Sequence, residues 1–260
     1  CIQCNQCVMA FPHAAIRAKL IAPAELDKAP ATFATVDAKP PVKKELGLKY
    51  RLQVFVDDCL GCGVCIETCP AKEKAIAFAP AAEERAAGQQ KNAEVFMDLP
   101  DNVMGGTTDA NIKGLGFKLP YFEFNGACAG CGEAPYVKLI SQLFGNRMIV
   151  ANATGCSSIY SGSFPSLPYC KDKDGRGPAW ANSLFEDNAE YGFGMRIAVD
   201  ANRKQLLDLA KRIQELGVCC DNMKAALDYA VANWTNTSEE AIANQNKLGE
   251  LHPIAVEKSE

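Results

Sequence analysis

The sequence lacks several features that would place the protein in other classes. No run comes near the roughly 20 apolar residues that a membrane-spanning helix needs. A net charge of -4 on 260 residues provides no basic face for nucleic acid. No charged and then apolar leader precedes the cysteines, so a secretory route is not indicated. We therefore expect a cytoplasmic protein that binds neither a membrane nor nucleic acid.

Histidine is scarce, with 2 residues, whereas cysteine is abundant, with 13. Cysteines at metal-ligand spacings in a reducing compartment indicate metal binding rather than disulfides. His13 and His252 are predicted to be ordinary side chains. Three cysteines fit no ligand spacing and are predicted to be inert thiols: Cys170, Cys219 and Cys220.

Two cysteine runs repeat each other at an offset of 58 residues, as from Cys1 to Cys59. The second run has the complete C-x2-C-x2-C-x3-C-P spacing of [4Fe-4S] proteins: Cys59, Cys62, Cys65, Cys69 and Pro70. Gly61 and Gly63 let this loop fold round a cubane and point its N–H groups at the sulfides. The first run keeps all but one of these positions: Cys1, Cys4, Cys7 and Pro12. Phe11 stands where the repeat calls for a fourth cysteine.

The missing cysteine affects the partner cluster, because the fourth cysteine of this motif ligates the other cluster. Crossed ligation completes one [4Fe-4S] site from four thiolates: Cys1, Cys4, Cys7 and Cys69. The other site keeps three thiolates: Cys59, Cys62 and Cys65. Phe11 cannot bind iron there. Four outcomes are open: a [3Fe-4S] centre, a [4Fe-4S] centre with an exogenous ligand, no second cluster, or a single-base error at the Phe11 codon.

Changes in pattern along the chain predict three regions. Residues 1–80 are expected to form an α+β, ferredoxin-like two-cluster domain with an irregular insertion at 21–50. A strand over 52–56 leads into the second cysteine run, and its missing counterpart before Cys1 is expected for a fragment. Residues 81–119 have little periodicity and are interpreted as a linker. Residues 120–260 are expected to begin an α/β layer.

The third region opens with a helix signal, five apolar residues at helical spacing: Tyr136, Leu139, Ile140, Leu143 and Phe144. Gly145 is placed to end this helix. The short apolar run at 148–151 predicts a buried parallel strand. It leads to Thr154 and Cys156, so we expect ligands in the crevice at the strand's carboxyl end.

A second helix signal begins with a capping-box pattern at Ser183 and Glu186. The apolar stripe that follows extends to Gly217, with a break predicted near Gly192 and Gly194. We interpret these stripes as structural, packing into a core.

Cys128 and Cys131 form a C-x-x-C, and Cys156 follows the predicted strand. Spacing alone leaves three interpretations open: a zinc site, a redox dithiol, or one side of an iron-sulfur cluster.

Five segments carry long, specific motifs: CIQCNQC at 1–7, PHAAI at 12–16, FNGACAGCGEAPY at 124–136, ANATGCSSIY at 151–160 and GPAWANSLFEDNAEYGFG at 177–194. Together they closely resemble the pyruvate:ferredoxin (flavodoxin) oxidoreductases, over nearly the whole chain. The resemblance implies that residues 1–80 are the family's inserted two-cluster ferredoxin domain. It also implies that residues 120–260 are the N-terminal part of an α/β thiamine-diphosphate-binding domain.

The resemblance further implies specific site residues. Cys128, Cys131 and Cys156 would be three of the four ligands of a third cluster, nearest the thiamine. Glu133 and Cys156 match positions that contact thiamine diphosphate. The family's Gly-Asp-Gly motif, which holds Mg2+ and the diphosphate, is absent from these 260 residues. The Mg2+ ligands, the fourth cysteine and the groups that bind pyruvate and coenzyme A are therefore expected outside the chain, and no catalytic residue is assigned within it.

The implied reaction is the oxidative decarboxylation of pyruvate to acetyl-CoA and CO2, with single electrons passing through the clusters to ferredoxin or flavodoxin. The full-length protein is expected to be a homodimer, and the partial chain is expected to be inactive by itself. One alternative is a related enzyme acting on 2-oxoglutarate or an aryl pyruvate. Another is a polyferredoxin-type electron-transfer module without catalysis.

Iron content and EPR of the iron-loaded ferredoxin portion test the role of Phe11. If Phe11 removes a ligand, we expect an oxidised three-iron signal beside one reduced cubane, because Cys59, Cys62 and Cys65 are left without a fourth thiolate. Two equivalent reduced cubanes, with no exogenous ligand, would contradict this assignment.

Overall fold

The computed structural model describes residues 1–101, 111–163, 167–217 and 220–236. The chain divides into two compact units, residues 1–188 and residues 189–260. The described helices are α1 Gln6–Ala10, α2 Val64–Glu67, α3 Ala81–Ala86, α4 Gln89–Asp98, α5 Ile112–Leu115, α6 Ala134–Phe144, α7 Cys156–Gly162, α8 Asn188–Leu216 and α9 Asp221–Ala232. The described strands are β1 Ile16–Ile21, β2 Val36–Asp37, β3 Lys49–Val54, β4 Ile149–Ala153 and β5 Ala179–Ser183.

An antiparallel sheet of order β1-β3-β2 organises the cysteine-rich part of the first unit. β1 and β3 pair along their whole length, from Ile16 opposite Val54 to Ile21 opposite Lys49. All six residues of β1 are buried, so this strand forms the centre of the core. The strand predicted over 52–56 is present as β3, although it begins and ends earlier. The predicted α+β character of this region is confirmed.

The insertion and the predicted linker contain more regular structure than their sequences indicate. Within 21–50 lie two short 3-10 helices and β2, which adds to the free edge of β3. Residues 81–119, predicted as a linker, include α3, α4 and α5. α4 buries only a narrow face, at Asn92, Ala93 and Phe96, and so leaves little periodicity in the sequence. The domain boundaries at 80 and 120 stay a prediction, and both positions lie inside the first compact unit.

The predicted helix and parallel strand after residue 120 are both confirmed. α6 ends at Phe144, followed by Gly145 as its C-cap. β4 pairs in parallel with β5, in register from Ile149 opposite Ala179 to Ala153 opposite Ser183. The strand is not buried as expected, because β5 is its one partner among the described residues and its side chains stay partly or fully exposed.

The two faces of α6 are reversed relative to the prediction. Tyr136 and Ile140, on the apolar stripe, are 68% and 48% exposed. The buried positions carry mainly polar side chains, including Lys138, Ser141 and Gln142. The stripe therefore does not pack into a core in this chain, and the helix uses its polar face to contact the first cysteine run.

α8 is a single helix over Asn188–Leu216, so the predicted break near Gly192 and Gly194 was wrong. The capping box was also wrong, because the Ser183 hydroxyl donates to the Asp187 carboxylate and the helix begins afterwards. None of the residues of α8 is buried. None of the helices in the described part of the chain has the length and apolar character to span a membrane.

Truncation of Phe96 should destabilise the first unit. The Phe96 ring is fully buried and lies edge-on to Phe55, with the ring centroids 5.9 Å apart. Phe96→Ala should lower the free energy of unfolding by about 3–5 kcal/mol, because it leaves a cavity in the core. Chemical denaturation measures the change. Phe78→Ala is the control, since Phe78 is 70% exposed and its loss should cost no more than about 0.5 kcal/mol.

Candidate iron-sulfur and cofactor sites

The two cysteine runs adopt the same backbone conformation despite different residues. Gly61 and Gly63 have left-handed φ values of 64° and 77°. Their counterparts 58 residues earlier, Gln3 and Asn5, have φ values of 60° and 60°. A short helix follows each pair, α1 after Asn5 and α2 after Gly63. The repeat read from the sequence is therefore a repeat of loop geometry as well.

Side-chain hydrogen bonds hold the two non-glycine residues in this strained region. The Asn5 amide donates to the Lys113 carbonyl at 2.8 Å and accepts from the Tyr50 hydroxyl at 3.0 Å. The Gln3 amide bonds at 2.8 Å to backbone groups at both ends of the segment 37–39. Both side chains are 1% exposed. We did not identify them from the sequence, but aligning the repeat places them opposite the loop glycines and so could have found them.

The structure brings together the four cysteines that are predicted to form the crossed site. One small cavity is lined by all four of its cysteines: Cys1, Cys4, Cys7 and Cys69. The remaining lining is largely apolar, with Ile2, Tyr50, Leu52 and Ile76 among it. Burial raises the pKa of Cys7 to about 11. Backbone N–H groups of Ala75 and Ala71 lower the pKa of Cys69. Four thiolates round one apolar cavity fit a [4Fe-4S] cubane.

The second set, Cys59, Cys62 and Cys65, lies around α2. Burial raises the pKa of Cys65, and the nearby Cys59 and Cys62 raise it further. Cys62 and Cys65 pack against the same core that contains Phe11. The Phe11 side chain is 1% exposed and lies edge-on to the His13 ring at 5.7 Å. The fourth-ligand position is thus taken by a buried aromatic ring without a donor atom.

A site for a single metal ion differs in geometry from a cubane site. Among the residues that the structure describes, no three Cys, His, Asp or Glu side chains converge on a single metal ion. A cubane binds one thiolate at each iron, so its ligands line a cavity instead.

The third set lies beside the second. A Cβ added to Gly130, between Cys128 and Cys131, would lie 3.9 Å from the Cys62 Cβ and 3.6 Å from a Val64 methyl. Gly130 has φ +72°, which favours glycine at this close approach. The loop of Cys128 and Cys131 therefore packs on the loop of the second cysteine run.

Cys156 begins α7, directly after β4. Four residues later, on the same side of the helix, Tyr160 packs into a small core against which Cys131 also packs. The Tyr160 hydroxyl is buried and lies near the Glu133 carboxylate. Burial raises its pKa, and the nearby charge of Glu133 raises it further. The structure thus brings Tyr160, one turn beyond Cys156, to the segment that holds Cys131 and Glu133.

The segment Phe11–His13, which follows the first cysteine run, is bound to the third set's segment through three successive carbonyls. The Phe11 carbonyl accepts from Lys138 Nζ at 2.5 Å, and the Pro12 carbonyl accepts from the Asn125 amide at 2.9 Å. The His13 carbonyl accepts from the backbone N–H of Phe124 at 2.8 Å. These contacts join parts of the chain more than 100 residues apart.

The cysteines and histidines that were predicted to be inert differ in their burial and contacts. Burial raises the pKa of Cys170 to about 12, so its thiol is protonated at neutral pH, whereas Cys220 is exposed. His13 is buried, with Nε2 2.9 Å from the Ala127 carbonyl oxygen, so it serves as a further tie between the two segments. Cys219 and His252 lie outside the described residues.

Phe11→Cys should supply the missing ligand. Pro12 and the end of α1 keep the backbone of position 11 where the repeat needs it, so a thiolate there can bind the fourth iron. We expect one more iron per chain and a second reduced cubane in EPR. Phe11→Ala is the matched control, because it opens a similar cavity, at about 3–5 kcal/mol, without a ligand. An equal iron content in both variants would contradict the prediction.

Comparison with known proteins identifies the first part of the chain. Residues 1–72 match the model of a 4Fe-4S double cluster binding domain. The chain therefore contains an iron-sulfur domain built for two clusters, as the paired cysteine runs predict.

The relatives of the whole chain are much longer proteins. The chain is 49% identical over 241 residues to a pyruvate:ferredoxin oxidoreductase of Moorella thermoacetica, covering 93% of the chain and 20% of the relative. It is 47% identical over 254 residues to a pyruvate-flavodoxin oxidoreductase of Rhodospirillum rubrum, covering 95% and 20%. A mitochondrial pyruvate dehydrogenase [NADP(+)] of Euglena gracilis is 41% identical over 251 residues, covering 95% and 13%.

The chain thus spans about a fifth of the length of its bacterial relatives. Four-fifths of each relative has no counterpart here, so the similarity concerns one segment of those proteins. Over nearly all of its length, the chain is homologous to the two-cluster segment, and the residues that follow it, of the pyruvate:ferredoxin and pyruvate-flavodoxin oxidoreductases.

Proposed function

We propose that this chain is the electron-relay part, and the beginning of the thiamine-diphosphate part, of an enzyme that oxidatively decarboxylates pyruvate. The products are acetyl-CoA and CO2, and single electrons pass to ferredoxin or flavodoxin. Homology over more than nine-tenths of the chain to proteins of these names supports the proposal.

The observation that carries the proposal is the proximity of the three cysteine sets. Cys62, in the second set, lies against Gly130 of the third set. Cys65, also in the second set, is close enough to Cys7 of the first set to raise its pKa. The second set is therefore close to both of the other sets, and this proximity is what the transfer of electrons between clusters requires.

The thiamine end of this relay is assigned to the carboxyl edge of β4 and β5. Polar side chains join the strands there: the Asn152 amide donates to Asn182 at 2.8 Å, and the Thr154 hydroxyl donates to the Ser183 carbonyl at 2.8 Å. Ligands of parallel sheets bind at such edges. Cys156 follows directly, so it would contact the cofactor together with Glu133.

Thiamine diphosphate, when bound, supplies the carbon chemistry of decarboxylation. The residues of this chain would position it and accept electrons through the third cluster, held by Cys128, Cys131 and Cys156. The other requirements are proposed to come from outside these 260 residues: the fourth cysteine, the Mg2+ ligands and the groups that bind pyruvate and coenzyme A. We likewise propose a cytoplasmic homodimer for the full-length protein, with 1–80 as ferredoxin domain, 81–119 as a connecting segment and 120–260 as part of the thiamine domain.

The choice of electron acceptor is proposed to depend on other parts of the full-length protein. Relatives of similar identity over this segment are named for three acceptors, ferredoxin, flavodoxin and NADP(+). Because the segment is shared among them, we assign it the common task of moving electrons away from the thiamine.

Replacement of Cys131 by serine in the full-length protein tests the proposal. Without this ligand the third cluster should not assemble, and pyruvate- and coenzyme A-dependent reduction of ferredoxin should be lost while dithionite still reduces the first cluster. Cys170→Ser is the matched control, since Cys170 belongs to no cysteine set, and it should retain the activity. Acceptor reduction is followed spectrophotometrically.

Three results would redirect the proposal. Reduction driven by 2-oxoglutarate or an aryl pyruvate, but not by pyruvate, would indicate a related enzyme. No reduction by any 2-oxoacid, with clusters that dithionite still reduces, would indicate an electron-transfer module. Full activity in Cys131→Ser would remove the third set from the relay.

A further inference from the structure

A buried lysine joins the helix that follows the third cysteine set to the helix of the first. Lys138, in the middle of α6, is 1% exposed. Its Nζ donates at 2.5 Å to the carbonyl of Val8 and at 2.5 Å to that of Phe11. Val8 directly follows Cys7, so the amine lies beneath the backbone that carries one ligand of the first cluster.

Among the residues that the structure describes, this lysine has no acidic counterpart. Arg17, another cation close to it, is paired with Glu123, whereas no described carboxylate lies within ion-pair distance of Lys138. A buried cation without a counter-charge is costly unless a negative group is close. The carbonyls at the end of α1 provide only partial negative charge.

A bound cluster supplies the negative charge that is missing. Burial lowers the pKa of Lys138 to about 7, and negative charge at Cys7 raises it again. A cubane with four thiolates is an anion, so it favours the ammonium form. Lys138 also lines a cavity of about 200 Å3 with Arg17 and Gln142, where water can accept from the third N–H.

We propose that the Lys138 ammonium raises the reduction potential of the cluster held by Cys1, Cys4, Cys7 and Cys69. This inference deepens the proposed function and depends on that cluster being present. Reduction adds one electron to the cluster, which then carries one more negative charge, and no proton or bond is exchanged. A fixed positive charge in a low-dielectric setting stabilises the reduced form more than the oxidised form.

This role gives the relay a direction. Cys7 of the first set is close to Cys65 of the second, so a higher potential at the first cluster favours electron transfer to it from the second. If Lys138 only capped α1, its two hydrogen bonds would be sufficient. A role in setting the reduction potential also requires its positive charge, so variants that differ in charge distinguish the two roles.

The test is a redox titration of the full-length, iron-loaded protein with dithionite, followed by EPR, which needs no 2-oxoacid. Lys138→Met should shift the midpoint potential of the first cluster negative, lowering its electron affinity about tenfold, or about 59 mV for a one-electron couple. Lys138→Arg keeps the charge and should keep the potential. Lys91→Met removes an exposed lysine of α4, and solvent should screen that change.

Lys138→Gln is the second uncharged variant, in case methionine prevents iron loading. A negative shift in either uncharged variant, with the potential retained in Lys138→Arg, supports the proposal. An unchanged potential in a loaded uncharged variant overturns it, as does an equal shift in Lys138→Arg. If both uncharged variants fail to load iron while Lys138→Arg loads it, the lysine is structural and the proposal is wrong. If the potential shifts as predicted but the protein does not oxidise pyruvate, the proposed function is wrong and the role of Lys138 stands.

Discussion

The attachment of residues 11–13 to residues 124–138 is the constraint on which the rest of the site depends. Three successive carbonyls, those of Phe11, Pro12 and His13, each accept a hydrogen bond from that later segment. A buried carbonyl without a partner is costly, so these bonds are maintained together. Because the first cysteine run precedes this segment and Cys128 follows Asn125, the same bonds set the distance between the first and third cysteine sets.

Backbone conformation, rather than residue identity, is what the two cluster loops have in common. Each loop needs two left-handed residues, and glycine adopts that conformation at no steric cost. The first loop achieves it with Gln3 and Asn5, whose side chains are buried and hydrogen-bonded. Those bonds connect the loop to the insertion and to α5. The first loop is thereby integrated into the core, while the second loop keeps glycines and stays more exposed.

Local signals in the sequence predicted where helices and strands occur better than they predicted which side of each is buried. The helix ending at Gly145 and the strand near 149 were correct, because their apolar spacing and stop signals are local. The burial of α6 was wrong, since its partner surface is the polar backbone around Val8 and Phe11, which attracts Lys138 instead of the apolar stripe. The break in α8 was wrong because two glycines weaken a helix without ending it. The helices within residues 81–119 were not predicted, because α4 buries a face too narrow to show periodicity.

The sequence by itself determined the inventory of ligands, the 58-residue repeat and the single position where Phe11 replaces cysteine. These follow from residue type and spacing, which are local properties. Only the tertiary structure decided that the second set lies close to both of the other sets and that Lys138 reaches the end of α1. Each of these contacts joins distant parts of the chain, so its energy depends on how the whole unit packs, and no local pattern records it.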